Sequence, residues 1–390
     1  EAMISTKYQN IYEKFVESYK RIHIDPWHEI DEETLNNLHD ELVSCMDITD
    51  SYNFIYFMDY IIKRLNGKSD AHTKLDMVSI LPINFKIFAD EVLVNYPKEL
   101  KGASLKSING ISIKQIISEI DAVISYGTEG KRKFETEKAL FNKCIMFGLP
   151  SLRETSKLIY EFTNLNGETV TKTFNRKKSD DEGTLFDYEK YLYGDTGSYK
   201  ITNNVLIYNH CSVQSQYETK IKDAIKRLEA EDLSQISTII IDLRGNTGGN
   251  SGLNSLLTDF LNKHMGKKLI CLTDYRIFSA GRYALADLIK LGAITIGEGI
   301  STPINCFGES NWVLFDEYSF SISGCYFNPF IHYTARTKEK LLETKTSELL
   351  KPYIFEPDIN VSQNKNDYIN DFDTVLNYAL NFCKENQNKL

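Results

Sequence analysis

The stretch STIIIDLRGNTGGN, residues 237–250, decides the fold. Its first half is a continuous β-branched run, which is typical of a strand buried on both faces of a parallel sheet. Three glycines follow within five residues, at positions 245, 248 and 249, so the backbone can turn tightly and expose its N–H groups. The turn is either a cradle for an anion or oxyanion, or only a tight connection to the next helix. No Gly-Lys-Ser/Thr follows and no G-x-G-x-x-G is present, so nucleotide-binding loops of those types are excluded.

The segments around this stretch alternate between strand and helix patterns. The strands are NNVLIYNH (203–210), KLICLTD (268–274) and AITIGE (293–298), and the helices are ETKIKDAIKRLEAE (218–231), GLNSLLTDFLNKH (252–264) and FSAGRYALADLIKLG (278–292). Strands followed by helices at this spacing predict a largely parallel sheet with crossovers over residues 195–375. The predicted fold class is therefore α/β.

Ser279 stands where a strand and loop give way to one of these helices, followed by Ala280 and Gly281. A serine at a helix start has its hydroxyl at the positive end of the helix dipole, where an alkoxide or oxyanion is stabilised. The alternative is that Ser279 only caps the helix, which is a common role for serine.

The first half of the chain has a different pattern. Residues 1–75 have helical spacing, with a helix over YQNIYEKFVESYKRI (8–22), another after Asp31 and a third ending at Gly67. Residues 76–190 are mixed, with hairpins predicted at Asn109-Gly110 and Asn166-Gly167. The polar stretch 176–183 predicts a loop or a domain boundary.

Taken together, the motifs resemble those of the S41 serine peptidases, the tail-specific or C-terminal-processing proteases. The shared elements are D-x-R-x-N-x-G-G (here IDLRGNTGG, 241–249), S-A-x-x (here Ser279 to Arg282), G-E (here Gly297-Glu298) and P-D before an apolar strand (here EPDINV, 356–361). The match covers about residues 195–365 in register. It implies a serine endopeptidase with a crotonase-like (ClpP/crotonase-type) catalytic domain over 191–390.

The resemblance continues upstream. LNGKSDAHTKL (65–75) is similar to the D-x-H-T element that closes the helical N-terminal region in part of this family, and LKGASLKSINGISIKQII (100–117) looks like half of a PDZ-like module. The resemblance therefore implies a helical region over 1–75 and a PDZ-like module with a helical insertion over 76–190.

The general base follows from the branch of the family that the chain resembles. One branch uses a lysine after the nucleophile, but the corresponding loop GEGISTPINCFG (297–308) contains none. The tricorn-like branch uses the histidine of the D-x-H-T element, which is His72 here. An imidazole suits proton transfer at neutral pH. His210 and, more weakly, His332 are alternatives.

The remaining site residues are also implied by the resemblance. The orienting acid is expected near the P-D motif, where Glu356 is the first candidate and Asp358 the next, with Asp70 as a further alternative. The oxyanion hole is expected from backbone N–H groups of Gly248 or Gly249 and of Ala280. Asp242 and Arg244 are expected to form a structural charge pair that shapes the glycine loop.

Composition limits the partners. The net charge of −9 and the pI of about 5.5 exclude nucleic acid and anionic membranes as partners held by the overall field. No apolar stretch of membrane-spanning length is present, and the seven cysteines form no C-x-x-C pair, so buried free thiols are expected. No metal or organic cofactor is implied, and the expected partner is a polypeptide bound as an added strand. The expected location is a reducing compartment such as the cytoplasm, or the exterior if an export signal once preceded Glu1.

Two other functions are compatible with these motifs. A catalytically silent peptide-binding protein on the same fold would explain the missing lysine and the ill-defined acid. An esterase using the same serine is the other, although the chain lacks the G-x-S-x-G elbow of the α/β-hydrolases.

Overall fold

The computed structural model describes residues 3–89, 91–177, 194–343 and 351–387. Most of the predicted loop at 176–183, and the domain boundary predicted at 190–191, lie outside these residues. Within them the helices are α1 (Thr6–Ile22), α2 (Glu32–Cys45), α3 (Ser51–Asn66), α4 (Ile113–Asp121), α5 (Glu129–Ala139), α6 (Lys143–Met146), α7 (Glu218–Ala230), α8 (Asn254–Asn262), α9 (Ala280–Lys290), α10 (Lys338–Glu343), α11 (Lys365–Ile369) and α12 (Thr374–Gln387).

The strands fall into three sheets. They are β1 (Lys74–Leu75), β2 (Asn84–Phe88), β3 (Glu91–Tyr96), β4 (Ser104–Ile108), β5 (Ile111–Ser112), β6 (Lys157–Thr163), β7 (Thr169–Asn175), β8 (Tyr199–Thr202), β9 (Val205–Asn209), β10 (Thr238–Asp242), β11 (Lys268–Thr273), β12 (Ile294–Gly297), β13 (Cys306–Phe315), β14 (Tyr318–Asn328), β15 (Tyr333–Ala335) and β16 (Ile359–Asn360).

The chain forms two compact units, each assembled from separate segments. The first unit comprises Glu1–Tyr191, Asn305–Asn328 and Thr334–Pro352. The second comprises Leu192–Ile304, Pro329–Tyr333 and Tyr353–Leu390. The three-part division drawn from the sequence stays a prediction.

In the first unit, α1, α2 and α3 pack into one core with the hairpin β13–β14. Phe15, Phe54 and Phe57 are fully buried there with Tyr318 and Phe320 of β14. Each helix has a side-chain N-cap, and α3 ends at a glycine with positive φ after a basic last turn. The three predicted helices are thus confirmed.

The middle of the first unit is an antiparallel sheet in the order β2-β3-β4-β6-β7, with β5 paired to β4. Both predicted hairpins are present, as β4–β5 and β6–β7. Asn109 and Gly110 have φ values of 51° and 76°, the left-handed pair that a tight hairpin turn requires.

The second unit contains the predicted parallel sheet. Its order is β16-β12-β11-β10-β9-β8, and only β8 runs antiparallel to its neighbour. All five residues of β10 are buried, because α7, α8 and α9 cover one face and α12 covers the other. The α/β class is confirmed, and the loops after β9, β10, β11 and β12 meet at the carboxyl edge, where such sheets bind ligands.

Two general features complete the fold. All seven cysteines are free thiols, and six of them are buried. In the described part of the chain, no helix has both the length and the apolar character needed to cross a membrane.

Candidate active site

The glycine loop, residues 245–249, follows the end of β10, where charged side chains hold one another by hydrogen bonds. The guanidinium of Arg244 donates to both carboxylate oxygens of Asp242, at 2.9 and 2.8 Å, and to both of Asp373, at 2.8 and 2.7 Å. Burial alone would lower the pKa of Arg244, but the two carboxylates outweigh it and raise that pKa well above its usual value. The structural charge pair predicted at this strand end is present, with Asp373 as a third member that the sequence did not reveal.

The next strand ends in the same pattern. After β11, Arg276 donates to Asp274 Oδ2 through Nε at 2.9 Å and Nη2 at 2.7 Å. The other oxygen, Oδ1, accepts the backbone N–H of Gly245 at 3.0 Å. Asp274 therefore ties the glycine loop of β10 to the loop that leads into Ser279.

Asn246 connects the glycine loop by hydrogen bonds to the loops that follow β9 and β11. Its side chain donates to the carbonyl of His210 at 2.7 Å and accepts the Gly248 N–H at 3.0 Å, while its own carbonyl accepts the Phe278 N–H at 2.9 Å. The side chain is fully buried, so each of these bonds forms away from water and fixes the loop firmly.

Gly248 lies directly against the turn that carries Ser279. Its φ is 105°, and a Cβ added there would come within 2.7 Å of both the Ser279 Cβ and the Ala280 nitrogen. Gly249 has a φ of 127°, and a Cβ there would lie 2.4 Å from the Val213 carbonyl oxygen. Both positions therefore require glycine, for conformation and for space.

Ser279 has a strained backbone. Its φ and ψ are 52° and −123°, and its side chain makes no capping hydrogen bond to α9. The alternative that Ser279 merely caps the helix is therefore wrong. A non-glycine residue at such angles costs about 1–3 kcal/mol and is typical of functional sites.

The strain is held in place by Arg282, whose side chain is 1% exposed. Its Nε donates to the Ser279 carbonyl at 3.2 Å, and its Nη1 donates to the Ile304 carbonyl at 2.5 Å. A buried guanidinium bridging two main-chain carbonyls locks the turn before α9 against relaxation.

Two backbone amides beside Ser279 are available as donors. Within the described residues, neither Gly249 N–H nor Ala280 N–H donates a hydrogen bond. The first N–H groups of a helix have no partner within the helix, which accounts for Ala280. The Gly248 N–H, by contrast, is already bonded to Asn246. The loop and the helix start thus offer the kind of paired N–H donors that stabilise an oxyanion.

His210 belongs to a buried support behind this turn. Asn254 donates through Nδ2 to the Ala280 carbonyl at 3.0 Å, so its Oδ1 accepts from His210 Nε2 at 2.8 Å. Burial lowers the pKa of His210, and the bond to Asn254 offsets this only in part. A neutral, fully buried ring committed to Asn254 is a structural feature, so His210 is not favoured as the base.

In the first unit, His72 lies in a loop organised by Asp70. The Asp70 carboxylate accepts the backbone N–H groups of His72 at 3.0 Å and Thr73 at 3.1 Å, both through Oδ1. The His72 ring stands over Gly308 of β13, where an added Cβ would lie 3.3 Å from the ring atoms Cε1 and Nδ1. His72 is 7% exposed, so it is not the surface histidine that its sequence position would otherwise suggest.

The candidate acids and the last histidine occupy distinct environments. Glu356 is exposed and lies in the irregular segment before β16. Asp358 accepts from the Thr295 N–H at 2.8 Å and from its hydroxyl at 3.0 Å, which joins β16 to β12. His332 is exposed and accepts from Lys290 Nζ at 3.0 Å. The structure thus brings Ser279, Ala280, Gly248 and Gly249 together, and Glu356 belongs to the same unit.

Sequence patterns assigned no role to several residues that support the site in the second unit: Asn246 and Arg282, which were only positions within the quoted motifs, and Asn254, Asp274 and Asp373. In the first unit, the contact of His23 with Asp70 was not predicted. The repeated Asp-x-Arg after β10 and β11 is the one local signal that could have revealed Asp274. In the described part of the chain, no cluster of three or more His, Cys, Asp or Glu side chains could hold a metal ion.

Comparison with known proteins gives likeness of structure only. No family model matches the chain, and no curated protein matches it in sequence. Mature CPAF matches at 11% identity with a TM-score of 0.62, covering 93% of this chain and 94% of that chain. Mature CPAF complexed with lactacystin matches at 11% identity and a TM-score of 0.63, covering 93% and 95%. The photosystem II D1 C-terminal processing protease matches at 11% identity and a TM-score of 0.46, covering 92% and 94%.

The chain therefore has the fold of mature CPAF over nearly the full length of both proteins. The resemblance to S41 peptidases predicted from the motifs is confirmed at the level of the fold.

Proposed function

We propose that the chain is an S41-type serine endopeptidase with Ser279 as its nucleophile and a crotonase-like catalytic domain. The observation that carries the proposal is the backbone of Ser279, held at φ 52° at the start of α9 beside two amides, Gly249 and Ala280, that have no acceptor within the described residues. Strain at a serine next to unused N–H donors is costly for a fold and useful for acyl transfer.

The proposed reaction proceeds through an acyl-enzyme. Ser279 Oγ attacks the peptide carbonyl carbon while His72 accepts the hydroxyl proton. The negative charge that develops on the carbonyl oxygen is stabilised by backbone N–H groups of the glycine loop and of Ala280, each worth about 3 kcal/mol in the transition state. His72 then returns the proton to the leaving amine, and a water activated by the same imidazole releases the acyl group.

The choice of Gly249 over Gly248 as the loop donor rests on hydrogen bonding. The Gly248 N–H is bonded to Asn246 Oδ1, whereas the Gly249 N–H has no acceptor among the described residues. We therefore assign Gly249 and Ala280 as the donor pair and Gly248 as the residue whose missing side chain lets the loop approach the serine.

His72 and Glu356 remain the proposed base and orienting acid. The support for His72 is its burial and the hydrogen bond from its main-chain N–H to Asp70, because a base needs a defined position. Asp70 is unsuitable as the orienting acid because its oxygens already accept hydrogen bonds from main-chain N–H groups of its loop and from neighbouring side chains. Glu356 carries no competing hydrogen bond among the described residues, so its carboxylate is available for this role.

The middle of the first unit is proposed to be the PDZ-like module. Its support is the antiparallel sheet from β2 to β7 with α4 and α5 in the same segment. Strands β2 and β7 form the edges of that sheet, and an extended polypeptide can add to such an edge through main-chain hydrogen bonds.

The test is covalent labelling of the purified protein with a fluorophosphonate, followed by peptide mapping. Labelling at Ser279 that is lost in Ser279→Ala and strongly reduced in His72→Ala supports the proposal. Ser255→Ala removes an exposed hydroxyl at the start of α8 and is the matched control, expected to label like wild type. His210→Ala and His332→Ala test the two alternative candidates for the general base.

Absence of labelling in folded protein between about pH 6 and 9 would contradict the proposal and leave a peptide-binding protein. Because mature CPAF has been solved in complex with lactacystin, we propose this compound as a second probe. Protection of Ser279 from fluorophosphonate by lactacystin would extend the likeness from the fold to the site.

A further inference from the structure

A buried histidine–carboxylate pair in the first unit has no part in the reaction just proposed. His23 Nε2 lies 2.9 Å from Asp70 Oδ2, and both side chains are fully buried although 47 residues separate them. Burying such a pair is expensive unless its geometry is good and its other polar atoms are satisfied. The pair therefore calls for an explanation.

The hydrogen bonds of His23 show which of its ring nitrogens is the donor. Its Nδ1 accepts the backbone N–H of Asp25 at 3.0 Å, so the ring hydrogen is on Nε2, which donates to Asp70. The ring is held from several sides by aromatic neighbours, with centroids 4.9 Å from Tyr19 and 5.1 Å from both His28 and Phe307. His23 thus presents one N–H in one fixed direction.

Asp70 connects His23 to the D-x-H-T loop, residues 70–73. Oδ2 accepts from His23 and from the Thr73 hydroxyl at 2.7 Å, while Oδ1 accepts from the Ser323 hydroxyl at 2.7 Å and from the main-chain N–H groups of His72 and Thr73. Burial alone would raise the pKa of Asp70, but the bonds from His23, Thr73 and Ser323 outweigh it and lower that pKa. The carboxylate is charged at neutral pH and holds the backbone of His72.

We infer that His23 is a positioning residue for His72, acting through the Asp70 carboxylate on the main chain of the D-x-H-T loop. The inference rests on the proposed role of His72 as general base. Loss of the His23 donor lets the carboxylate rotate about its remaining partners. The amide of His72, and with it the imidazole, then loses its fixed position. Displacement of a catalytic group by about 1 Å can cost about 100-fold in rate.

Two substitutions that differ by one methylene isolate the bond. In His23→Gln the side-chain amide reaches the position of Nε2 and can still donate to Asp70. In His23→Asn the shorter amide replaces Nδ1, keeps the polarity of the site and does not reach Asp70. His39→Asn is the control, because the His39 ring nitrogens contact Asp40 and Gln9 rather than the loop.

The first readout is the inactivation of Ser279 by fluorophosphonate, separated into the maximal rate and the half-saturating concentration. We expect His23→Asn to lower the maximal rate about 10- to 100-fold with an unchanged half-saturating concentration, and His23→Gln to restore it to within a few-fold. His39→Asn should match wild type. Equal rates in folded His23→Asn and wild type, or an equal loss in His39→Asn, would overturn the inference.

The second readout does not depend on activity. The ring Cε1–H signals of the seven histidines, assigned for His72 with His72→Ala, should show a shifted or broadened His72 signal in His23→Asn and an unchanged one in His39→Asn. If wild type does not label at Ser279, the proposed function fails while this spectrum still decides the role of His23. If His23→Asn does not fold, Ser323→Ala removes another donor to the same carboxylate, and an unchanged His72 signal there overturns the inference.

Discussion

The side-chain oxygen of Asn246 accepts the backbone N–H of Gly248 at 3.0 Å. One residue farther along, the Gly249 N–H has no acceptor among the described residues. The two neighbouring amides therefore have different roles, because Asn246 engages the first and the turn leaves the second available. Asn246 also donates to the carbonyl of His210, so a single buried amide group organises the glycine loop beside Ser279.

Replacing Asn246 with alanine is expected to weaken both the fold and the site. The change leaves the Gly248 N–H and the His210 carbonyl buried without their partner, and each such group costs about 1–3 kcal/mol. Urea unfolding should show the lower stability, and Ser279 should label more slowly in protein that is still folded. Asn262→Ala, at the exposed end of α8, is the control and should change neither. Labelling at the wild-type rate in folded Asn246→Ala would contradict the role given to this side chain.

Replacing Gly248 with alanine is expected to abolish labelling of Ser279. The added Cβ would lie 2.7 Å from the Ser279 Cβ and the Ala280 nitrogen, closer than non-bonded atoms allow, so the turn must move. Gly266→Ala is a matched control, since Gly266 has a similar φ of +99° and nothing within 4 Å of an added Cβ. Both variants carry the strain of a positive φ, and only Gly248→Ala carries the clash. Equal labelling of the two variants would show that the close approach is irrelevant.

The stability contributed by Asp70 should depend on pH in a defined direction. Its pKa is lowered in the folded protein, so its contribution is present above the unfolded pKa of about 4 and is lost as the pH falls towards the folded pKa. Asp70→Asn should therefore be less stable than wild type at pH 7, with a difference that shrinks below about pH 4. Urea unfolding of both proteins at pH 7, 5 and 3.5 measures this. A difference that stays constant over this range would show that the charge of Asp70 is not what stabilises the loop.

The sequence predicts the sheet of the second unit well, for physical reasons. The run Thr238–Asp242 is typical of a strand buried on both faces, and the glycines after it favour a turn, so local composition predicts both. The start of α9 after Ser279 follows in the same way from local signals. The positive φ of Ser279 does not follow from local signals. It depends on tertiary contacts, namely the approach of Gly248 and the hydrogen bond from Arg282 to Ile304.

Hydrogen bonds between residues far apart in the sequence could not be predicted from sequence patterns. His23 follows α1 and resembles any histidine near a helix C-terminus, and nothing local connects it with Asp70, 47 residues later. Asn254 and His210 likewise have ordinary neighbours, and only the packing of α8 against the loop after β9 brings them together. The motifs thus name the residues proposed to do the chemistry, whereas the contacts that hold these residues became visible only in the structure.

The two acids near the P-D motif should respond to amide substitution in opposite ways. Asp358 accepts from the N–H and the hydroxyl of Thr295, so Asp358→Asn should lower the free energy of unfolding by about 1–3 kcal/mol without changing the pH profile of Ser279 labelling. Glu356 is exposed, so Glu356→Gln should leave stability within about 0.5 kcal/mol of wild type. If its carboxylate orients His72, the same change should slow labelling and shift the pH midpoint of labelling downward, because a carboxylate beside an imidazole stabilises the protonated ring. An unchanged midpoint and rate in Glu356→Gln would remove Glu356 from the mechanism. His72 would then act as base without that acid, held through its main chain by Asp70.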